Sequence, residues 1–501
     1  MLSDSPDVCD TVTQYARQAD YETAHADSGH EWRRQLRRWN DTSQAVPLTL
    51  PQLLARAASY DPEAAAVVCD EVTLTYRELV RRSNALARKL IRSGIGPEDV
   101  VAVALPRSPE WVVAVCAVAY AGAAFLAVDP DAPAARIAPI LLDSGAVAGI
   151  TAEHRRSTLP VMAAGEWLSI DPIGPLDRDG IPVDVLDARA VALLAANPNE
   201  PPRRTSGESE PGGWVGPAAI ADAERVRPLR LQHPAYLVYP HESTGIVRGA
   251  TITHAGLANL VVTQAQRCDT DPDARVLAAA APGRDTAVWE LLLALASGAA
   301  LVLAPPGPYA GADLYELMVA ARVTHAVLTP HILATLPGAE PLPHLRLLAT
   351  TGAACPAKLT GIWSAGRSFV SGYGWSETSI CSTVSLALAT AAPHSAVPIG
   401  GPVVGSRCYI LDEQLNQVPP GVVGEIYIGG AGLARGYHHR PGATAPHFVP
   451  DPFGVGTRMY RTTELGSWRP DGQLEHHGRL GAQPIGQVPT PRAATTPVTW
   501  H

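Results

Sequence analysis

With 501 residues, 46% hydrophobic and 17% charged, the chain carries enough apolar side chains for a large core, which excludes an intrinsically disordered protein and predicts several subdomains. A formal net charge of -9 and the lack of any long basic stripe give no footprint for nucleic acid. Seven cysteines, dispersed and without CxxC spacing, read as reduced thiols, and the first residues lack a basic segment followed by an apolar one, so a cytoplasmic location without an export signal is expected.

Residues 1–45 are polar and without sustained periodicity, and read as a leader or linker. Within them, the basic and aromatic run Glu31 to Trp39 reads as a solvated helix face or linker contact. The folded core is expected over 46–479. Thr75 and Glu78 form a capping box before a helix running to about Arg92, with Leu79, Leu86 and Leu90 on one face and Gly94 as its stop. Strand Val100–Leu105, helix Pro109–Ala121 and strand Ala123–Val128 follow. The uncharged run Trp111–Val128 is near the lower limit for a membrane span, but Gly122 divides it, and it reads as a buried helix feeding a buried strand rather than a membrane contact.

This βαβ rhythm predicts an α/β fold with mainly parallel sheet. It pauses over 197–217, where Pro, Arg, Ser, Glu and Gly supply no core residues and a surface insertion is expected. It resumes with strands at Ala235–Tyr239, Ala300–Leu303, His325–Leu328, Leu345–Ala349 and Ser368–Ser371, and a helix from Thr286. From 398 to 479 the pattern changes to short strands and turns, including Cys408–Leu411 and Glu425–Ile428, which predicts a small β-barrel. Residues 480–501 read as an unstructured tail.

Between strand Ala235–Tyr239 and the segment Thr251–Val262 lies Tyr239-Pro-His-Glu-Ser-Thr-Gly-Ile-Val-Arg-Gly249. A turn of small residues there can aim backbone N–H groups and hydroxyls at an anion, and Ser243, Thr244 and Gly245 fit that task. Asp285 and Trp289 lie about one helical turn apart, so they share a face and can line one pocket. Asp285 also suits a helix cap. His476 and His477, adjacent on an expected strand, point opposite ways, and neither they nor His438-His439 nor His241-Glu242 has the spacing of a helical zinc site.

Read in order, Leu74-Thr-Tyr-Arg-Glu-Leu79, Ala121 to Asp129, the loop 239–249, Asp285-Thr-Ala-Val-Trp-Glu290, Tyr373-Gly-Trp-Ser-Glu377, Gly424 to Tyr437, Tyr460-Arg-Thr-Thr-Glu-Leu465 and Asp471 to Arg479 carry a resemblance. The chain resembles the adenylation domain of a nonribosomal peptide synthetase, a member of the adenylate-forming, AMP-binding superfamily. The resemblance implies an N-terminal core of two βαβ-type subdomains plus a small β-barrel. It also implies ATP and Mg2+ as cofactors, and activation of an amino acid as its adenylate before transfer to a carrier thiol. Such chemistry rests on positioning and electrostatic stabilisation.

Carried onto this sequence, the resemblance makes Glu377 the magnesium ligand and, with Ser376 and Arg479, part of the catalytic set. Tyr373 would stack on adenine. Ser243, Thr244, Gly245, Arg248, Gly352, Gly374 and His476 join it around the nucleotide, and Glu464 takes the place of an Asp that grips the ribose hydroxyls. Asp285 would pair with the substrate α-ammonium, and Thr286, Trp289, Val327, Ala349, Thr351, Gly372, Ile380 and Cys381 would line a pocket for a large apolar or aromatic amino acid.

Two departures from the family pattern stand out. In the loop, Pro240, His241 and Glu242 replace Thr-Ser-Gly, and Val247 and Arg248 replace Pro-Lys. Pro240 removes a backbone donor, and Glu242 brings a carboxylate that, about 5 Å from a phosphate charge, would repel it by roughly 3 kcal/mol. In addition Gly481 stands where a hinge Asp is expected, and no lysine follows Lys358, whereas the family places a catalytic lysine in a C-terminal subdomain. The expectation is therefore an impaired activity, or one completed by a C-terminal subdomain or carrier protein in trans and a small accessory activator protein. The alternative is a non-catalytic scaffold or ligand-binding remnant.

Overall fold

The computed structural model describes residues 31–170, 172–173, 220–240, 247–307, 309–338, 342–388 and 397–480. The expected surface insertion at 197–217 and all but the first residue of the expected tail lie outside them.

The Thr75–Glu78 capping box forms reciprocally, the Glu78 N–H donating to Thr75 Oγ1 at 3.2 Å and the Thr75 N–H to Glu78 Oε2 at 3.1 Å. It opens helix Tyr76–Arg92, which ends at Ser93 before the left-handed Gly94. Helix Pro109–Ala121 is capped by the Ser108 hydroxyl and stopped by Gly122 at φ 88°. Every residue of that helix but Glu110 is buried. It feeds strand Ala124–Ala127, as the sequence predicts, and among the described residues no helix is long and apolar enough to cross a membrane.

Two mixed, mainly parallel sheets result. In the six-stranded sheet, Trp167–Ile170, Ala148–Ala152, Val100–Ala104, Ala124–Ala127 and Pro234–Val238 run parallel, and Ala250–Thr253 closes the edge antiparallel to Pro234–Val238. The nine-stranded sheet has a parallel centre formed by Ser368–Tyr373, Leu347–Thr350, His325–Leu328, Arg275–Ala278, Ala300–Leu303 and Ala65–Cys69. Antiparallel strands finish both of its ends, Val72–Thr75 on one side and Thr383–Val384 with Gly401–Pro402 on the other.

The antiparallel part expected over 398–479 is a curled half-barrel of Ser406–Leu411, Gly424–Gly430, Arg458–Trp468, Phe448–Pro450 and Leu474–Arg479. Its edge strand is covered by a segment expected to be leader. Residues 31–40 form a helix. Leu36 is buried, and the Trp39 ring stacks on Trp468 with centroids 5.1 Å apart. The Asn40 amide then imitates a neighbouring strand, accepting from the Cys408 N–H at 2.7 Å and donating to the Cys408 carbonyl at 2.9 Å. Periodicity is weak over these residues because one buried leucine and two indoles, rather than a full apolar stripe, carry the docking.

Candidate active site

Helix Asp285–Leu295 packs on the face of the nine-stranded sheet that carries Val327, Ala349 and Val370. The parallel register pairs Val327 with Ala349 and Ala349 with Val370, so period-two alternation sends these three to one face and Ala326, Leu348 and Phe369 to a second cluster behind it. Trp289 is wholly buried on the first face. Its six-membered ring lies on Gly372, where an added Cβ would come within 2.5 Å of the indole and 3.3 Å of Cys381 Sγ. Glycine is therefore required by packing there. Ile380, Cys381 and Thr351 are also buried around this group, while Thr286 and Gly352 stay partly exposed.

Asp285 is the first residue of the helix, and Arg284 occupies the cap position. A carboxylate in the first turn complements the helix dipole. Ser376 Oγ donates to Asp285 Oδ2 at 2.7 Å, joining the helix start to the turn Ser376–Thr378 that follows strand Ser368–Tyr373. The Asp285 residue keeps partial exposure, but its carboxyl sits in a dense surround, and burial raises its pKa against the opposing hydrogen bonds from Ser376 and the backbone. The turn is tight: Ser379 and Ile380 adopt φ of 59° and 74°, and Gly374 passes so close to the Ile380 carbonyl that a Cβ would lie 2.4 Å from it.

Glu377 is buried in the same turn, and Tyr437 Oη donates to its Oε1 at 2.7 Å. Burial raises the Glu377 pKa, opposed by hydrogen bonds from Tyr437 and Tyr460 and reinforced by the Asp285 charge. Its Oε2 is buried and has no hydrogen-bond partner among the described residues. The Arg248 guanidinium lies over the Tyr437 ring, 5.7 Å from its centroid, so the exit of the loop 239–249 reaches the Glu377 end of the site. Ser243, Thr244 and Gly245, with His241 and Glu242, lie outside the described residues.

A second group gathers around Glu464, which is fully buried on strand Arg458–Trp468. Tyr373 Oη donates to Glu464 Oε2 at 2.8 Å, and Trp375 Nε1 donates to Tyr373 Oη at 3.2 Å. His476 Nε2 and Arg479 Nε each stand 3.5 Å from a Glu464 oxygen, and the Arg479 guanidinium lies 5.5 Å above the Trp375 ring. The preceding Thr463 is left-handed at φ 59°, a strained conformation for a β-branched residue. His477 points elsewhere, its Nε2 2.8 Å from Ser467 Oγ. Tyr373, expected at the adenine, is buried in this structure with its hydroxyl committed to Glu464.

The fold thus brings Asp285, Trp289, Gly372, Ile380, Cys381, Ser376 and Glu377 to one place, and Tyr373, Glu464, His476 and Arg479 to an adjoining one. Sequence reasoning did not single out Tyr437, Tyr460 or Trp375. Each lies in or next to a motif, but the hydroxyl and indole contacts depend on long-range pairing that spacing does not reveal.

The AMP-binding enzyme family model matches residues 54–438. The chain belongs to that AMP-binding enzyme family. It is 38% identical over 87% of its length to a probable non-canonical nonribosomal peptide synthetase, CymA, of Salinispora arenicola, but spans only 5% of that protein. It is 37% identical over 89% of its length to novobiocin biosynthesis protein H of Streptomyces niveus, covering 68% of it. A solved structure of the nonribosomal peptide synthetase FmoA3, bound to alpha-methyl-L-serine-AMP, matches with a TM-score of 0.73 at 28% identity, over 89% of this chain and 47% of that one. By this resemblance the AMP-binding chain is of the nonribosomal peptide synthetase adenylation type, with the α/β core and half-barrel such domains share.

Proposed function

We propose that this chain activates an amino acid with ATP, a substrate carboxylate oxygen forming a bond to the α-phosphorus while the bond to pyrophosphate breaks, giving an aminoacyl-adenylate and pyrophosphate. The observation that carries this reading is the Asp285–Ser376 contact beside Glu377. It sets an acceptor for an α-ammonium next to a carboxylate suited to a cation, where the start of the Asp285 helix meets the turn Ser376–Thr378. Trp289 over Gly372, with Val327, Ala349, Ile380 and Cys381, supports an apolar or aromatic side chain.

Glu377 Oε2, buried and without a hydrogen-bond partner among the described residues, fits a magnesium ion, which when bound would screen the triphosphate charge. Tyr437 holds the other carboxylate oxygen and so orients the first. Arg248 supplies positive charge beside that end of the site. Glu464, Tyr373, His476 and Arg479 form the nucleoside end. Transfer of the acyl group to a carrier protein thiol, help from a lysine-bearing subdomain and assistance by a small accessory protein belong to the same reading.

ATP/pyrophosphate exchange across the proteinogenic amino acids tests it, with and without a related C-terminal subdomain added. Exchange with an apolar or aromatic amino acid is expected, and silence with every one under both conditions sinks the reading. One observation favours the non-catalytic alternative. Glu464, the group proposed for the ribose, is fully buried and already bonded to Tyr373. Micromolar MgATP binding by calorimetry would count heavily against that alternative.

A further inference from the structure

We propose that Arg107 and Glu290 are positioning residues for Asp285: together they clamp the segment 279–284 that carries the chain from strand Arg275–Ala278 to the start of the Asp285 helix. The inference rests on the amino-acid-binding role proposed above for Asp285.

Among the described residues the segment pairs with no strand, yet it leaves the middle of a buried sheet, so its backbone groups need partners from elsewhere. Glu290, one turn into the helix and 1% exposed, turns back and takes them. Its Oε1 accepts from the Ala279 N–H at 3.1 Å and the Ala280 N–H at 3.2 Å, and its Oε2 from the Ala280 N–H at 3.2 Å. Arg107, 6% exposed, takes the carbonyls of the same two residues, its Nη1 donating to Ala279 O at 3.0 Å and Ala280 O at 3.3 Å. Its Nε donates to Ala304 O at 3.2 Å, and its Nη2 donates to the carbonyls of Pro305 and Gly307. The same peptide units are therefore held through their N–H groups by a carboxyl group and through their carbonyls by a guanidinium.

Two buried ionisable side chains are a costly way to fill a core, and an apolar pair of similar volume often serves stability as well or better. What an apolar pair cannot do is fix the direction of a bare backbone. Arg107 follows strand Val100–Ala104 of the six-stranded sheet, which also contains Pro234–Val238 leading into the loop 239–249. The clamp thus sets the Asp285 helix start in the nine-stranded sheet's layer relative to the sheet that feeds the phosphate loop. An acid at 290 is part of the motif Asp285-Thr-Ala-Val-Trp-Glu290, but its carboxyl group works on the segment between strand and helix rather than on a ligand.

The test separates amino-acid KM from ATP KM in pyrophosphate exchange, using the unaltered chain, Glu290→Leu, Glu290→Gln, Arg107→Met and Arg107→Lys. Glu290→Leu and Arg107→Met should raise the amino-acid KM by about tenfold or more while the ATP KM changes by less than about twofold. Glu290→Gln, whose amide oxygen still accepts from both N–H groups, should recover most of that loss. Should the apolar variants fail to fold, Glu290→Gln and Arg107→Lys carry the comparison, with Arg107→Lys raising the amino-acid KM more than Glu290→Gln. Folded variants with an unchanged amino-acid KM, or with both KM values raised equally, overturn the positioning role while leaving the adenylation reading intact. No exchange by the unaltered chain with any amino acid removes that reading and this inference with it.

Discussion

The phenol of Tyr373 donates to the carboxylate of Glu464 across 2.8 Å, in the interior between the nine-stranded sheet and the half-barrel. Two groups expected to serve a nucleotide are thus bonded to one another. Glu464→Asp withdraws the carboxylate by about one methylene and breaks the contact, which should cost about 1–2 kcal/mol of stability. The same change opens the carboxylate to a ribose, so MgATP or AMP should bind tighter. Calorimetry with AMP, alongside thermal melting, checks both signs, and weaker AMP binding by the aspartate variant would count against competition between Tyr373 and the ribose.

The Asp285 carboxylate, fixed by Ser376, is the group proposed for the substrate α-ammonium. Asp285→Asn keeps an oxygen for Ser376 but removes the charge. A charge-assisted hydrogen bond contributes about 1.5–3 kcal/mol, so the amino-acid KM should rise by roughly 10- to 150-fold with little change in ATP KM. Exchange kinetics with the two substrates varied in turn decide it.

Gly372 supports the Trp289 ring, and the space for a Cβ is lacking. Gly372→Ala should lower stability by about 1–3 kcal/mol through overpacking. In the double variant with Trp289→Leu the added methyl has room, so much of that loss should return and the amino-acid profile should shift. Urea midpoints for the two single variants and the double variant read the coupling, and strict additivity would show that Gly372 and Trp289 do not meet.

Much of this architecture is legible in the sequence because it is carried by local rules. The Thr75–Glu78 box, the Ser108 cap and Gly122 stop, and the apolar strands at Val100, Ala300 and His325 need only nearest neighbours to explain them. The site residues of the turn after Tyr373 are legible as a motif. What spacing does not carry is the partner across the fold. Tyr437 reaching Glu377, Asn40 closing the edge at Cys408 and Arg107 reaching Ala279 all join residues far apart in sequence. Trp39, expected in a solvated or linker contact, instead docks on Trp468. Trp39→Ala should therefore destabilise the half-barrel, by about 1–3 kcal/mol for a partly buried indole, and hydrogen exchange at Cys408 and its neighbours should rise with it.

The pH dependence of stability follows from groups of opposite sign. Burial pushes the Glu290 carboxyl from 4.5 up to about 8, so between those values the folded chain retains a proton that the unfolded chain has released, and stability falls as pH rises. Burial pushes the His254 imidazole from 6.5 down to about 3, so over that range the unfolded chain holds the extra proton and stability rises with pH. The two effects oppose one another up to about pH 6.5, beyond which His254 is neutral in both states and Glu290 remains. The melting temperature should accordingly be nearly flat between about pH 5 and 6.5 and decline between about 6.5 and 8. Glu290→Gln, neutral throughout, should flatten the upper limb, and His254→Gln should expose the Glu290 decline already below pH 6.5. A decline above pH 6.5 that persists unchanged in Glu290→Gln would assign it to another group.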